Sequence, residues 1–315
     1  MSHRDRRWAG RTRREEGQYR QYLTGRTTPI DRIQRRSNAA GLEGPAEQNQ
    51  CSNKKSPPDG GARINLKSLI KKITRAAGYE VINLKSGTSD GLLPHDFSDR
   101  EVQIYVKVRP YTMTTPERVV SLVRAIVHVV CNDLPGAIVE CGVYKGGSMM
   151  AAALALIDAD AADRDLCLYD TFAGMTEPGE HDGAWEKMWG EHQTGDHNEW
   201  AFGGSAEQIT QRLVDVGYAR ELLHLVEGDI LETLPRHSPE QIALLRLDTD
   251  FYESTRHELE HLYPKLVPGG ILIIDDYGVF QGTRKAVDEY FAANGPAPFL
   301  SRIDADARLV VKPVV

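Results

Sequence analysis

A chain of 315 residues with 41% hydrophobic and 26% charged content has the balance of an ordinary globular enzyme, long enough for one large α/β domain with additions. No window offers the ~20 uninterrupted apolar residues of a membrane helix, so no membrane partner is expected. Residues 1–60 hold 13 Lys or Arg against 7 Asp or Glu, so a total of −7 leaves −13 for the remainder; so acidic a body argues against a nucleic-acid enzyme.

The polar, Arg-rich first thirty residues lack the apolar stretch of a secretory signal, and Asp5, Glu15 and Glu16 argue against a transit peptide. Cys51, Cys131, Cys141 and Cys167 form no CxxC pair and read as reduced thiols of a cytoplasmic protein. Residues 1–62, rich in Arg, Gln, Gly and Pro and ending in "KKSPPDGG", are expected to be a disordered basic extension ahead of a single domain spanning 63–315.

In that domain a helical period runs through residues 64–78, with Leu66, Leu69, Ile70 and Ile73 on one face. Next, "YTMTTPERVVSLVRAIVHVVCN" predicts a helix capped by Thr114 or Thr115, with Pro116 in its first turn and a stripe through Val119, Leu122, Val123, Ile126 and Val130. Strands and helices then alternate. The strands are "AIVECG", "DLCLYDTF", "LLHLVEGD", "IALLRLD" and "ILIIDDY". The helices are "GGSMMAAALALIDAD", "AEQITQRLVDVG", "STRHELEHLYPKLVPGG", which Pro268 and two glycines are expected to stop, and "GTRKAVDEYFAANG"; "FLSRI" and "RLVVKP" close as a hairpin. Near-continuous Val, Ile and Leu strands between amphipathic helices predict an α/β fold. Its expected form is a seven-stranded doubly wound sheet with one antiparallel strand. Residues 174–204 break the rhythm. They are polar but carry Trp185, Trp189 and Trp200 with three histidines, and are expected to form a lid offering aromatic surface to a substrate.

Ligands of open α/β sheets bind beyond the carboxyl ends of the strands. Seven carboxylates collect there: Glu140, Asp170, Asp229, Asp248, Asp250, Asp275 and Asp276. Such a gathering repels itself unless a cation or polar ligand holds it. "VECGVYKGGS" follows a strand and opens a helix but lacks the GxGxxG spacing of a dinucleotide turn. Asp170 is placed to meet ribose hydroxyls, Asp229 an adenine amino group and Glu140 an ammonium. With Gly142, Ser148 and Gly228 beside them, the residues fit S-adenosylmethionine better than NAD. Asp248, Asp275 and Asp276 are hard oxygen donors suited to Mg²⁺. Capping of the following helices is the competing role for the aspartates, and Ser254 and Thr255 are better placed for it than Asp248; Asp250 reads as a turn or cap residue.

"LRLDTDFYEST" followed by "GGILIIDDYG", with "VECGVYKGGS", "YDTFAGMTEP" and "YTMTTPERV" upstream, resembles the macrocin O-methyltransferase family of antibiotic-sugar methyltransferases from about Ile64 onward. The resemblance implies a class I methyltransferase (Rossmann-like) fold, S-adenosylmethionine as donor, Mg²⁺, and a deoxysugar hydroxyl of a secondary metabolite as acceptor. It implies that Asp248 is the general base and a metal ligand, with Asp275 and Asp276 the other ligands. Glu140 and Gly142 would form the donor turn, Asp170 the ribose contact and Asp229 the adenine-side contact, while Met113 and Thr114 would lie against the donor. Thr249 stands where many relatives are expected to carry glycine. A bound divalent ion can lower the pKa of coordinated water from ~15.7 to ~7, and a sugar hydroxyl gains comparably. A homo-oligomer, dimer or higher, is expected. Competing readings are a metal-dependent O-methyltransferase for a catechol or other phenolic diol, an NAD(P)-dependent oxidoreductase, and a binding protein without catalysis.

Overall fold

Each inner strand sends alternate side chains to opposite faces, and in this chain both sets are apolar, which requires cover on both sides. The computed structural model describes residues 93–195 and 197–314. Five parallel strands, β1 (Ala137–Cys141), β2 (Leu166–Asp170), β5 (Leu223–Glu227), β6 (Ile242–Leu247) and β7 (Leu266–Ile274), join β8 (Ser301–Arg302) and β9 (Arg308–Val311) in the order β5-β2-β1-β6-β7-β9-β8. β9 alone runs opposite to the other six, pairing antiparallel with β7 and β8, which gives the one antiparallel strand expected from the sequence.

On one face Ile138, Leu168, Leu244 and Ile273 pack with α1 (Asp99–Val108), α2 (Pro116–Cys131), α3 (Gly147–Asp158) and α5 (Ala206–Asp215). On the other, Val139, Tyr169, Leu245 and Ile274 pack with Leu259 of α7 (Tyr252–His261) and with Val287 and Phe291 of α8 (Gln281–Ala293). Thr115 caps α2 by accepting from the Arg118 N–H at 3.3 Å, with Pro116 at the first helical position. Residues 174–204 contain α4 (Trp185–Glu191) and a ribbon of β3 (Gln193–Thr194) and β4 (His197–Asn198); α6 (Ile230–Thr233) follows β5.

Three readings of the sequence need correction. Pro268, Gly269 and Gly270 do not stop a helix: α7 ends at His261 and β7 already starts at Leu266. The three residues form an irregularity inside the strand, where Ile242 pairs with Leu266 but Leu244 pairs with Ile271. Ser254 and Thr255 lie within α7 rather than capping it; the N-cap position is Phe251, whose side chain makes no capping bond. The sequence reading passed over α1, although Ser98 and Glu101 form a reciprocal capping box, with 2.7 Å from the Ser98 N–H to Glu101 Oε2. The predicted helix at 64–78 and the basic extension at 1–62 lie outside the described residues.

Candidate active site

A cavity of about 260 Å³ opens at the carboxyl ends of the parallel strands, around the point between β1 and β6 where strand order reverses. Gly142 ends β1 at φ +82°, and a Cβ there would collide with the carbonyl oxygen of Asp248. Only glycine lets the two strand ends meet so closely, with the Asp248 N–H donating to Cys141 O at 2.9 Å.

Most of the residues expected to meet the donor lie together on one side of the cavity. Gly142, Ser148, Gly228, Asp229, Met113 and Thr114 all line it, together with Asp170. Asp170 Oδ2 accepts the Val143 and Tyr144 N–H groups at 2.6 and 3.1 Å, and its Oδ1 accepts from Phe172 N–H at 2.8 Å. The carboxylate thereby clamps the loop after β1 while facing the cavity. Burial raises its pKa against the lowering by those N–H groups. Asp229 Oδ1 caps α6 by accepting from Leu231 N–H at 2.9 Å.

Glu140 departs from expectation. It is fully buried in β1, is not among the residues lining the cavity, and meets a protein cation instead of a ligand's ammonium: Arg246 Nη1 lies 2.7 Å from its Oε1. Glu140 lies inside β1, one residue short of its end, and is buried within the sheet, whereas Gly142 follows the strand and reaches the rim. Burial pushes its pKa up to about 8 against the opposing pull of Arg246.

In the other half, Asp248, Asp275 and Asp276 bring a carboxylate oxygen each within 4.8 Å of one another. Asp275 and Asp276 are buried, while the Asp248 side chain is 23% exposed. Two arginines from distant segments hold the group. Arg246 Nη1 lies 2.6 Å from Asp248 Oδ2 and its Nη2 2.8 Å from Asp275 Oδ1. Arg118 Nη1 lies 2.5 Å from Asp275 Oδ2, and the same guanidinium reaches Asp304 and Asp306 at 2.7 Å. Burial raises Asp248 to about 6, with Arg246 opposing. Asp250, read as a turn residue, does sit at φ +68°, but its carboxyl also hydrogen-bonds Asp276 and is raised by burial to about 7. Burial and then the charge of Asp250 push Asp276 well above the ordinary range. Thr249, in place of the expected glycine, donates from Oγ1 to Glu258 Oε1 at 2.9 Å and has no positive φ.

The donor set fits a divalent cation. Five clustered carboxyls (Glu140, Asp248, Asp250, Asp275 and Asp276) face two guanidinium groups, one of them shared with Asp304 and Asp306. Buried Glu140 Oε2 also lacks a hydrogen-bond partner. Hard oxygens with excess negative charge are what Mg²⁺ takes. Sequence reasoning missed Arg246, Arg118 and Asp250. The signal for Arg246 was available, because a guanidinium inside "IALLRLD" must find buried carboxylates.

An aromatic wall closes the acid half. Trp200 and Phe280 line the cavity; Trp185 packs on Phe280 with ring centres 4.5 Å apart, and Phe251 lies 6.1 Å from Trp200. Of the three tryptophans of the insert only Trp200 lines the cavity; Trp189 donates from Nε1 to Met175 O at 3.0 Å within the insert.

Residues 85–311 match the family described as Macrocin-O-methyltransferase (TylF). The chain is 32% identical over 196 residues to demethyldecarbamoylnovobiocin O-methyltransferase of Streptomyces niveus, covering 62% of this chain and 73% of that protein. It is 30% identical over 195 residues to mycinamicin III 3''-O-methyltransferase of Micromonospora griseorubida, covering 62% and 75%. Among solved structures it is similar to the O-methyltransferase NovP, at TM-score 0.59 and 31% identity over 65% of this chain and 83% of that one. The calicheamicin methyltransferase CalS11, at TM-score 0.52 and 18% identity over 82% and 99%, shares the fold. With the seven-stranded sheet of a class I methyltransferase and a match spanning most of its length, this chain belongs to the macrocin-O-methyltransferase family, a group of S-adenosylmethionine-dependent O-methyltransferases.

Proposed function

We propose that the protein transfers the methyl group of S-adenosylmethionine to a hydroxyl of a deoxysugar carried on a secondary metabolite, with Mg²⁺ held by Asp248, Asp275 and Asp276. One observation carries the reading: the three acid side chains converge within 4.8 Å in the same cavity that Gly142, Asp170 and Gly228 line from the donor side. The named activities of the novobiocin and mycinamicin relatives support the acceptor class.

Asp248 is the proton acceptor. Its raised pKa of about 6 makes it a stronger base than an ordinary carboxylate while leaving it ionised near neutrality. Arg246 anchors one of its oxygens and so fixes the direction in which it faces the acceptor. When bound, Mg²⁺ supplies charge that lowers the pKa of an adjacent hydroxyl. Asp170 keeps the loop after β1 in place for the donor through its three main-chain bonds. Trp200 and Phe280 offer the apolar face of a sugar a flat aromatic surface, and residues 174–204 act as the lid that excludes water. The methyltransferase domain spans 63–315.

The test is a panel of glycosylated natural products incubated with S-adenosylmethionine, with Mg²⁺ or with EDTA, and read by mass spectrometry. The expected result is a one-methyl mass gain on the sugar, lost in EDTA and restored by Mg²⁺. Methylation of simple catechols alone, or full turnover in EDTA, would remove the proposal.

A further inference from the structure

Among the described residues of the insert, Asp182 and Asn198 are buried polar side chains, at 1% and 2% exposure, and they do different work. Asn198 binds within the insert: its Nδ2 donates to Trp189 O at 2.8 Å and its Oδ1 accepts from Trp200 N–H at 2.9 Å. Asp182 binds the body. Its Oδ1 accepts from the N–H of Tyr252, the first residue of α7, at 2.9 Å, and its Oδ2 accepts from Gly179 N–H at 2.8 Å.

That first bond supplies what α7 lacks. The N-cap of α7 is Phe251, which has no side-chain acceptor, so an orphan N–H at the helix start is satisfied from seventy residues away. The N-cap of α8, Phe280, is equally without one. Asp182 also packs against the start of α8, where a Cβ on Gly282 would collide with Asp182 Oδ1. The neighbouring residues reinforce the contact: Gln281 Nε2 donates to His181 O at 3.4 Å, and the His181 ring meets the Tyr252 ring edge-on at 4.3 Å.

Both helix starts are the points to which the acid-bearing loops lead, α7 after Asp248 and Asp250, α8 after Asp275 and Asp276. Both cap residues put their rings into the aromatic wall with Trp185 and Trp200. We infer that Asp182 is a positioning residue for methyl transfer. It latches the insert to the starts of α7 and α8 and thereby holds Trp200 and Trp185 in register with the acid cluster. Its carboxylate touches no reacting atom; it acts through main-chain N–H groups, and its charge suits a helix N-terminus. The latch stands on this geometry alone, while its kinetic consequence rests on the lid reading given under the proposed function.

Hydrogen exchange on the full chain with S-adenosylhomocysteine bound tests the latch without any acceptor. In Asp182→Ala, amides of 176–195 should exchange at least tenfold faster while those of β1, β6 and β7 are unchanged. Gly282→Ala, which places a methyl where the carboxylate sits, should reproduce the effect. Asp182→Asn keeps an acceptor for Tyr252 N–H and should restore most of the protection. With the acceptor found by the glycoside panel, Asp182→Ala should raise the acceptor KM about tenfold and leave S-adenosylhomocysteine affinity within twofold. Unchanged exchange in both Asp182→Ala and Gly282→Ala overturns the latch even if methylation is confirmed. A loss of donor affinity equal to the loss for acceptor overturns the positioning role and leaves a purely structural one. Should Asp182→Ala fail to fold, the Asn and Gly282 variants decide the question by the same readout.

Discussion

In the donor half of the cavity the Asp170 carboxylate accepts three main-chain N–H groups from nearby loops. In the acid half, Asp248, Asp250, Asp275 and Asp276 crowd together, and the charges that offset them come from Arg118 and Arg246, one of them more than a hundred residues away in the chain. The first arrangement is satisfied within the protein, so its shape persists without a ligand. The second gathers carboxyls that repel one another when ionised, and under the proposed function a bound cation would relieve that repulsion. On that proposal, one half is shaped to receive the donor and the other stores an electrostatic cost that binding would relieve.

That contrast can be broken most severely at the acid half. Asp248→Ala should lower the rate of methyl transfer about a thousandfold, within the range of general-base loss. S-adenosylhomocysteine should bind it nearly as well as the wild type in calorimetry, because no donor-side contact is touched. Comparable losses of both would merge the two halves.

Arg246→Met should act on the fold. It leaves Glu140, Asp248 and Asp275 without their shared guanidinium, and breaking a buried ion pair costs about 3–5 kcal/mol. Thermal unfolding in EDTA should shift down by about 10 °C at ~2–4 °C per kcal/mol. Adding Glu140→Gln should recover part of that loss, since the pair is coupled. Additive losses would show that Arg246 is not the shared counter-charge.

The smallest effect concerns pH. The folded pKa of Asp250 is raised from 3.8 to about 7, so the folded state binds more protons than the unfolded chain between those values, and stability falls as pH rises through that window. Asp250→Asn removes the charge and should raise Tm by about 3 °C at pH 8 in EDTA, with the gain vanishing near pH 4. A gain that grew toward acid pH would reverse the assigned sign. Activity should follow Asp248 instead, climbing as pH rises through about 6 as the carboxylate loses its proton.

Much of this molecule was legible before folding was considered, because its signals are local. The runs ending in Gly142, Asp170, Asp229, Asp248 and Asp275 marked the strands and their functional ends at once. Thr115 and Pro116 marked the start of α2. The errors occurred where a local signal had a distant partner. Pro268, Gly269 and Gly270 read as a stop, yet they sit inside β7, where Gly269 N–H donates to Lys312 O at 2.9 Å. Ser254 and Thr255 read as caps, yet the acceptor for α7 came from Asp182. Glu140 read as a ligand contact because its carboxylate ends a strand, and nothing near it in sequence announces Arg246 as its partner.

The succession of strands and helices along the chain, the acidic strand ends and the aromatic insert were thus determined by the sequence alone, because hydrophobic period and strand-end residue type are properties of short segments. Which carboxylates face the cavity, which guanidinium each one meets and how the insert is fastened were decided only by the tertiary structure. Those pairings join segments remote along the chain, and burial, which sets their charge and pKa, exists only once the layers have closed.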